Sequence, residues 1–340
     1  MINFPSSPTV GQEHTEGGKT WAWDGARWAP KAAATDPAEA IHAAAVKAIP
    51  ADADEFGIVD SAASWSLKKL TWADFKTVLL AYFRGWFRER LAAPRTYYVR
   101  TDGSDSNDGL SNTSGGAFLT IQKAIDTAVA LDLGLHDVTI QIADGTYSGA
   151  NRLKPYVTGG GVITIRGNTT TPANVLVNVS GSDAFRGPGC GNWTLDGMKL
   201  QATTGRAVFA LGKTSQVDMR NINFGPCTYE HILADNGAVV RLLGAISISG
   251  AATAFANAAT GSFVTAASIG ITLVSTPAVG VFAACSMTGV VVMQAITFSG
   301  SSTGQRYNVS GNGVIQTYGG GPNYLPGSVT GSATTGGQYL

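Results

Sequence analysis

The sequence feature that most constrains the fold is an internal repeat of about 24 residues in the second half of the chain. Pairs of apolar residues recur at intervals of 24, 24, 25 and 25 residues. Because several columns of apolar residues keep one register, we predict a repeated structural unit. The columns are Met198/Leu200, Ile222/Phe224, Ile246/Ile248, Ile271/Leu273 and Ile296/Phe298; then Leu195, Met219, Leu243, Ser268 and Met293; and between them Val208, Ile232, Ala256 and Val281.

Each repeat predicts two or three short strands. Residues 216–224 are apolar at alternate positions, which is the period of a strand and not of a helix. Turn dipeptides such as Asn236-Gly237 stand just before a strand. A unit of this length suits one coil of a parallel β-helix, in which inward side chains stack on the coil below. We therefore predict an all-β fold, a parallel β-helix with coils running from about Val138 to about Thr317.

The open ends of such a solenoid need covers, because exposed sheet edges are adhesive. Residues 120–132 place apolar side chains on one helical face and predict an amino-terminal capping helix within a β-helix domain of 96–317. Glycine and proline interrupt the first part of residues 318–340, so we expect a non-helical segment that closes the last coil. The apolar face of the capping helix consists of Ile121, Ala124, Ile125, Ala128 and Val129.

The first 30 residues predict a small β-hairpin module. Asp24-Gly25 is a hairpin-turn signal between alternating aromatic positions, and Trp21, Trp23 and Trp28 would form one face. This face could stack on carbohydrate, but a module so small needs its tryptophans for packing, which is the interpretation we favour.

Residues 31–95 predict a linker and a helical neck. The alanine-rich stretch 31–51 is a linker or a helix, and a second helix begins at Thr71, which forms a capping-box-like pair with Asp74. An aromatic apolar stripe on this helix predicts self-association, such as a trimeric bundle; the alternative is packing onto the solenoid cap. The residues assigned to the trimer neck are Phe75, Leu79, Tyr82, Phe83 and Trp86, with Val78 beside them.

The charges are balanced but unevenly distributed. With 23 basic and 23 acidic side chains, the chain lacks the basic excess of a nucleic-acid binder. No apolar run is long enough for membrane insertion, and we predict no signal peptide at the amino terminus. After Arg241 the sequence has one charged residue, Arg306, so we expect this part to be buried in an oligomer. A sheet coated with serine and threonine is the alternative.

Several stretches resemble bacteriophage tail fibre and tailspike proteins. They are residues 3–12 with 21–25, 50–64 with 67–74, 97–109 with 118–125, and 311–321 with 326–327 and 336–339. The third resembles the start of phage β-helix domains of the pectate-lyase-like superfamily. This resemblance implies a right-handed β-helix and a homotrimer located in the virion, in the phage tail. It also implies that residues 1–30 attach to a tail or baseplate protein and that the β-helix meets host surface polysaccharide.

Tailspikes of this kind are often glycan hydrolases or lyases, so the resemblance raises the question of whether two carboxylates could form a catalytic pair. Hydrolysis needs two carboxylates about 5 to 9 Å apart. The best pair the sequence offers is Asp196 with Asp218 or Glu230, and His231 beside Glu230 could serve acid–base chemistry, although a structural role is more common for such a histidine. These are weak catalytic candidates.

We expect no metal and no cofactor. The acidic run 102–109 does not have the spacing of a calcium loop and predicts a turn whose side chains bond local backbone. The three cysteines, Cys190, Cys227 and Cys285, predict buried free thiols.

The function predicted from the sequence is therefore a structural virion protein, a trimeric tail fibre or tailspike that binds host glycan. Two alternatives stay open: a depolymerase that cleaves capsule or O-antigen, and an adaptor fibre that holds another receptor-binding protein.

Overall fold

The computed structural model of the chain describes residues 2–31, 45–64, 66–84 and 87–340. Most of the alanine-rich stretch and Trp86 of the predicted neck lie outside these ranges. The chain divides into two compact units, residues 1–83 and 84–340. Within the described residues, no helix has the length and apolar character that crossing a membrane requires.

The first unit begins with a three-stranded antiparallel sheet. It consists of β1 (Glu13–Glu16), β2 (Lys19–Trp23) and β3 (Trp28–Pro30). The predicted turn joins β2 to β3, and the Asp24 carboxylate closes it by accepting hydrogen bonds from the N–H groups of Ala26 and Arg27, both at 2.9 Å. The Trp28 ring stacks on Phe4 with centroids 5.1 Å apart, and Trp23 packs on Trp28. These contacts are consistent with tryptophans that stabilise the small sheet.

A second hairpin and a helix complete this unit. The hairpin consists of β4 (Glu55–Asp60), a 3₁₀ turn (Ser61–Ala63) and β5 (Ser66–Thr71), and it leads into helix α1 (Trp72–Arg84). The sequence analysis missed this hairpin, because its strands carry exposed lysines and little alternation. The predicted helix start is confirmed: the Thr71 hydroxyl accepts a hydrogen bond from the Asp74 N–H at 3.1 Å.

The second unit is a parallel β-solenoid of about eight turns, which confirms the predicted repeat. Its strands stack in three columns, here called the first, second and third sheets. The long strands β13 (Gly191–Ala202) and β15 (Ser215–Cys227) continue from the first sheet into the second.

The remaining strands of the first sheet are β6 (Arg95–Val99), β7 (Val138–Ile142), β10 (Ile163–Arg166), β17 (Val239–Leu242), β20 (Phe263–Ala267), β23 (Val290–Gln294), β26 (Val314–Gln316) and β28 (Gln338–Tyr339). Those of the second sheet are β8 (Gly145–Tyr147), β11 (Val175–Val179), β18 (Ile246–Ile248), β21 (Gly270–Leu273) and β24 (Thr297–Ser299). The third sheet contains β9 (Asn151–Arg152), β12 (Phe185–Pro188), β14 (Val208–Leu211), β16 (Ile232–Asp235), β19 (Ala252–Ala258), β22 (Ala278–Cys285), β25 (Thr303–Val309) and β27 (Ser332–Ala333). A 3₁₀ turn (Pro172–Asn174) precedes β11.

The predicted register holds in the middle coils. Met198 pairs with Ile222, Ile222 with Ile246 and Ile246 with Ile271. In the third sheet, Val208 pairs with Ile232 and Ile232 with Ala256. The inward side chains of these coils are buried and form one continuous core.

Five predicted column members are wrong, among them Phe298, which the predicted columns place on Leu273. Met219 pairs with Leu242 and not with Leu243, and the next rung is Ala266 and not Ser268. Ala256 pairs with Ala283 and not with Val281, while Ile271 pairs with Phe298 and not with Ile296.

The cause of the later errors is one longer corner. Residues 274–277 connect β21 to β22, and Ser275 and Thr276 both take left-handed backbone angles there. Rungs on the two sides of this corner, such as Ala256 and Ala283, are 27 residues apart, whereas the next interval, from Ala283 to Tyr307, is again 24. A displacement of two residues keeps the alternation of strand side chains, so the sequence pattern alone does not reveal it.

An aromatic stack fills the centre of the later coils. Phe224, Phe255, Phe282, Phe298 and Tyr324 follow one another with ring centroids 5.0 to 5.7 Å apart. Offset and edge-to-face pairs at this spacing stabilise a core beyond simple burial.

The predicted capping helix is α2 (Ile121–Val129), which contacts β6, β7 and β9. The Thr120 hydroxyl caps it by accepting a hydrogen bond from the Lys123 N–H at 3.2 Å, and four of the five predicted face residues are buried. The segment predicted to close the last coil contributes β27 and β28, which pair with β25 and β26. The three cysteines are free and buried, and burial raises the pKa of Cys190 to about 11.

Candidate functional site

The three weak catalytic candidates lie on two different parts of the solenoid. Asp196 and Asp218 are on neighbouring strands of the first sheet, and the predicted pairing of Asp196 with Arg220 is confirmed. Asp218 precedes Arg220 by two residues, so the two acidic positions are diagonal neighbours roughly 8 Å apart between Cα atoms. Glu230 follows the second-sheet half of β15, in the corner before β16.

All three carboxylates already have partners on both oxygens. Asp196 accepts a hydrogen bond from the Asn221 side chain at 2.9 Å and lies 3.5 Å from the Arg166 guanidinium. Asp218 is bound through both oxygens by the Arg241 guanidinium. In each of these carboxylates part of the hydrogen-bonding capacity of both oxygens is therefore used within the solenoid.

Glu230 is held by Arg206 at 2.8 Å through one oxygen and by the Asn257 amide at 3.2 Å through the other. Its sequence neighbour His231 points the opposite way and is completely buried. The His231 Nε2 atom lies 2.9 Å from the Gly225 carbonyl oxygen, and Nδ1 has no partner among the described residues. Burial lowers the pKa of His231 to about 4, so the ring is neutral near pH 7 and belongs to the core.

The acidic run 102–109 forms turns, and the predicted bonding of its side chains to local backbone holds for Asp108, which accepts a hydrogen bond from the Leu110 N–H at 2.9 Å. Asp105 differs from the prediction: its carboxylate accepts hydrogen bonds from the N–H groups of Leu119 and Thr120 at 3.0 and 2.9 Å, at the distant start of α2. Within the parts of the chain that the structure describes, no three side chains of His, Cys, Asp or Glu gather in a metal-binding group.

A line of side chains follows the outer side of the third sheet, and one member, Leu233, is buried with 8% exposure. Register pairs join Arg152 to Arg186, Arg186 to Phe209, Phe209 to Leu233 and Leu233 to Asn257. Because the strands are parallel and in register, these side chains stack on successive rungs about 4.8 Å apart. We call these five residues the outer ladder.

A cluster of charged and aromatic side chains surrounds Arg206 beside this ladder. The Arg206 guanidinium lies 2.8 Å from Glu230 and 3.7 Å from Asp183, and its carbon is 5.0 Å from the Phe209 ring centroid and 5.1 Å from that of Tyr229. We call Asp183, Arg206, Phe209, Tyr229 and Glu230 the Arg206 cluster. Two carboxylates and two rings hold the arginine in one place, while the Tyr229 side is open to solvent, with the residue 48% exposed.

The Arg206 cluster has the chemistry of a sugar-binding surface. The exposed Tyr229 ring offers apolar area to the C–H face of a sugar ring, whereas the Phe209 ring already contacts the Arg186 and Arg206 guanidinium groups and supports the cluster from below. Adjacent carboxylate, guanidinium and amide groups, the last from Asn257, can exchange hydrogen bonds with sugar hydroxyls. The cluster therefore places stacking, charged and hydrogen-bonding groups side by side on the outside of the solenoid.

Of the residues in this cluster, only Glu230 was predicted from the sequence as a candidate. Phe209 could have been predicted from the sequence. Val208 and Ile232 were correctly predicted to face inward, and the next residue of a strand faces outward, so Phe209 and Leu233 follow as outward residues.

The comparisons with known proteins give no match to a family model, to a curated protein or to a solved structure.

Proposed function

We propose that this chain is a structural virion protein of a bacteriophage tail, a trimeric fibre or tailspike whose β-helix binds host cell-surface glycan. The observation that carries the binding half of the proposal is the Arg206 cluster, in which two aromatic rings flank a fixed arginine on the outside of a parallel solenoid. The phage part of the proposal rests on the resemblance of the quoted segments, which include residues 97–109, starting within β6, and 118–125, which contain the start of α2.

Trimer formation is supported by two exposed apolar surfaces. On α1, the predicted neck residues Leu79, Tyr82 and Phe83 share one helical face and are 38%, 61% and 43% exposed. On the first sheet, the outward residues Val239, Phe263, Val290 and Val314 stack on four successive rungs. Interface cores are rich in apolar residues and poor in charged ones, and the first-sheet surface has this composition.

Attachment through the amino-terminal module is supported by its being a separate small sheet in the first unit. Its tryptophans are only half-buried, so ring surface is left for a tail or baseplate protein. Substituting Trp21→Ala should reduce incorporation of the protein into virions, whereas Tyr318→Ala, at an exposed tyrosine of the second unit, should not.

Binding rather than cleavage is supported by the carboxylates. Asp196, Asp218 and Glu230 each lie in an ion pair, whereas hydrolysis needs one acid free to protonate the leaving group. A depolymerase is the competing outcome, and it would show as new reducing ends or unsaturated sugars released from host polysaccharide and lost in Asp196→Asn or Glu230→Gln.

The decisive experiment measures binding of the purified protein to polysaccharide extracted from the surface of its host. We expect Phe209→Ala and Tyr229→Ala each to weaken binding about tenfold or more, since a stacked aromatic contributes on the order of 1–2 kcal/mol. Tyr318→Ala is the matched control, because this tyrosine is 61% exposed and lies outside the third sheet. Unchanged binding in both cluster variants would contradict the proposal.

A further inference from the structure

We propose that the glycan is acidic, and that Arg152 and Arg186 hold its anionic groups at the amino-terminal end of the outer ladder. This inference rests on the proposed glycan-binding function and names the chemical class of the ligand.

Arg152 and Arg186 form an unusual pair. They are register partners on neighbouring strands, both are exposed, and their backbones are about 4.8 Å apart. Like charges on adjacent rungs repel each other. Of the described residues, none offers a carboxylate within ion-pair distance of either side chain, although Arg166, Arg206 and Arg241 on the same solenoid are each paired.

A basic cleft adjoins this pair. A cavity of about 570 Å³ is lined by three basic side chains, Arg88, Arg152 and Lys154, together with apolar and proline residues. Lys154 is paired with Asp126 at 2.6 Å. Pro188 also lines the cavity and lies two residues beyond Arg186, so it is on the same side of β12. The cleft therefore borders the outer face of the strand that carries Arg186.

The arginine pair is continuous with the Arg206 cluster. The Arg186 guanidinium carbon lies 5.0 Å from the Phe209 ring centroid, and the Arg206 guanidinium carbon is at the same distance from that ring. A polymer lying along the outer ladder would thus meet two unpaired cations first and the aromatic rings next. An anion between Arg152 and Arg186 removes their mutual repulsion, which gives acidic glycans an advantage over neutral ones.

The test measures binding of three soluble polymers of similar length to the full chain: polygalacturonate, sulfated dextran and neutral dextran. We expect both acidic polymers to bind and neutral dextran to bind at least about tenfold more weakly, because a hydrogen bond to a charged group carries about that factor or more. Binding of the acidic polymers should also weaken as salt is raised from about 0.05 to 0.5 M, since salt screens exposed charges.

Matched variants locate the effect. Arg152→Gln and Arg186→Gln should each lower the affinity for polygalacturonate about tenfold, and Arg186→Lys should retain part of it. Arg220→Gln is the control, because Arg220 is an exposed arginine on the first sheet. Circular dichroism of each variant checks that the solenoid is intact.

The outcomes separate this inference from the proposed function. Equal binding of neutral and acidic polymers, or unchanged affinity in both glutamine variants, overturns the assignment of an acidic ligand. Failure of both acidic polymers to bind also overturns it, while binding to a neutral host glycan through Phe209 and Tyr229 would leave the proposed function standing. Absence of binding to every polysaccharide, host extracts included, would contradict the proposed function itself.

Discussion

Acidification should destabilise the solenoid through a single buried histidine. His231 is completely buried between the Phe224 and Phe255 rings, and its pKa falls from an ordinary value of 6.5 to about 4. Below pH 6.5 the unfolded chain therefore binds a proton that the folded chain does not accept until about pH 4. Stability is lost progressively as the pH falls through this window, by on the order of 3 kcal/mol in total.

The matched variant is His231→Gln. A glutamine amide can still donate a hydrogen bond to the Gly225 carbonyl oxygen, as the His231 Nε2 atom can, but it does not titrate. Urea unfolding followed by circular dichroism at pH 7, 5.5 and 4.5 gives the free energy of unfolding for both proteins. Because carboxylates titrate in both, only the difference between them reports on His231. The same pH dependence in wild type and variant would refute the reasoning.

Three other predictions concern packing, association and capping. Phe282→Ala removes the central ring of the aromatic stack and should lower the free energy of unfolding, measured with urea, by about 3–5 kcal/mol. The exposed control Tyr318→Ala should lower it by about 0.5 kcal/mol or less. Equal losses of stability in the two variants would contradict a stabilising role of the stack. Phe263 is 43% exposed on the first sheet, and Phe263→Asp should shift the mass measured by light scattering from three copies of the 35.1 kDa chain towards one. The control Val274→Asp should leave the mass unchanged. A monomeric mass for the wild-type protein would contradict the proposed trimer. Asp105→Ala should lower the free energy of unfolding by about 1–2 kcal/mol by removing the acceptor for the Leu119 and Thr120 N–H groups; an unchanged urea midpoint would count against this.

The solenoid could be predicted because its core repeats. Inward side chains at Met198, Ile222 and Ile246 stack on each other, so apolar residues recur in the sequence at the length of one coil. The errors arose where corners change length. Leu242 and Leu243 are adjacent and both apolar, and only the three-dimensional register shows that Leu242 is the inward one.

The site could be predicted only in part, since outward residues do not follow a hydrophobic period. The search for paired acids led to Asp196, Asp218 and Glu230, but their ion pairs with Arg166, Arg241 and Arg206 depend on which rungs are neighbours. The cluster around Arg206 combines residues from three successive coils, and the arginine pair combines residues 34 positions apart. Such groupings follow from coil register, which the sequence fixes only approximately.

The most direct test is a crystal structure of the protein with a bound acidic oligosaccharide. The account predicts sugar density on the third sheet, with a ring against Tyr229 or Phe209 and an anionic group between Arg152 and Arg186. Density confined to the first or second sheet, or to the amino-terminal module, would contradict it.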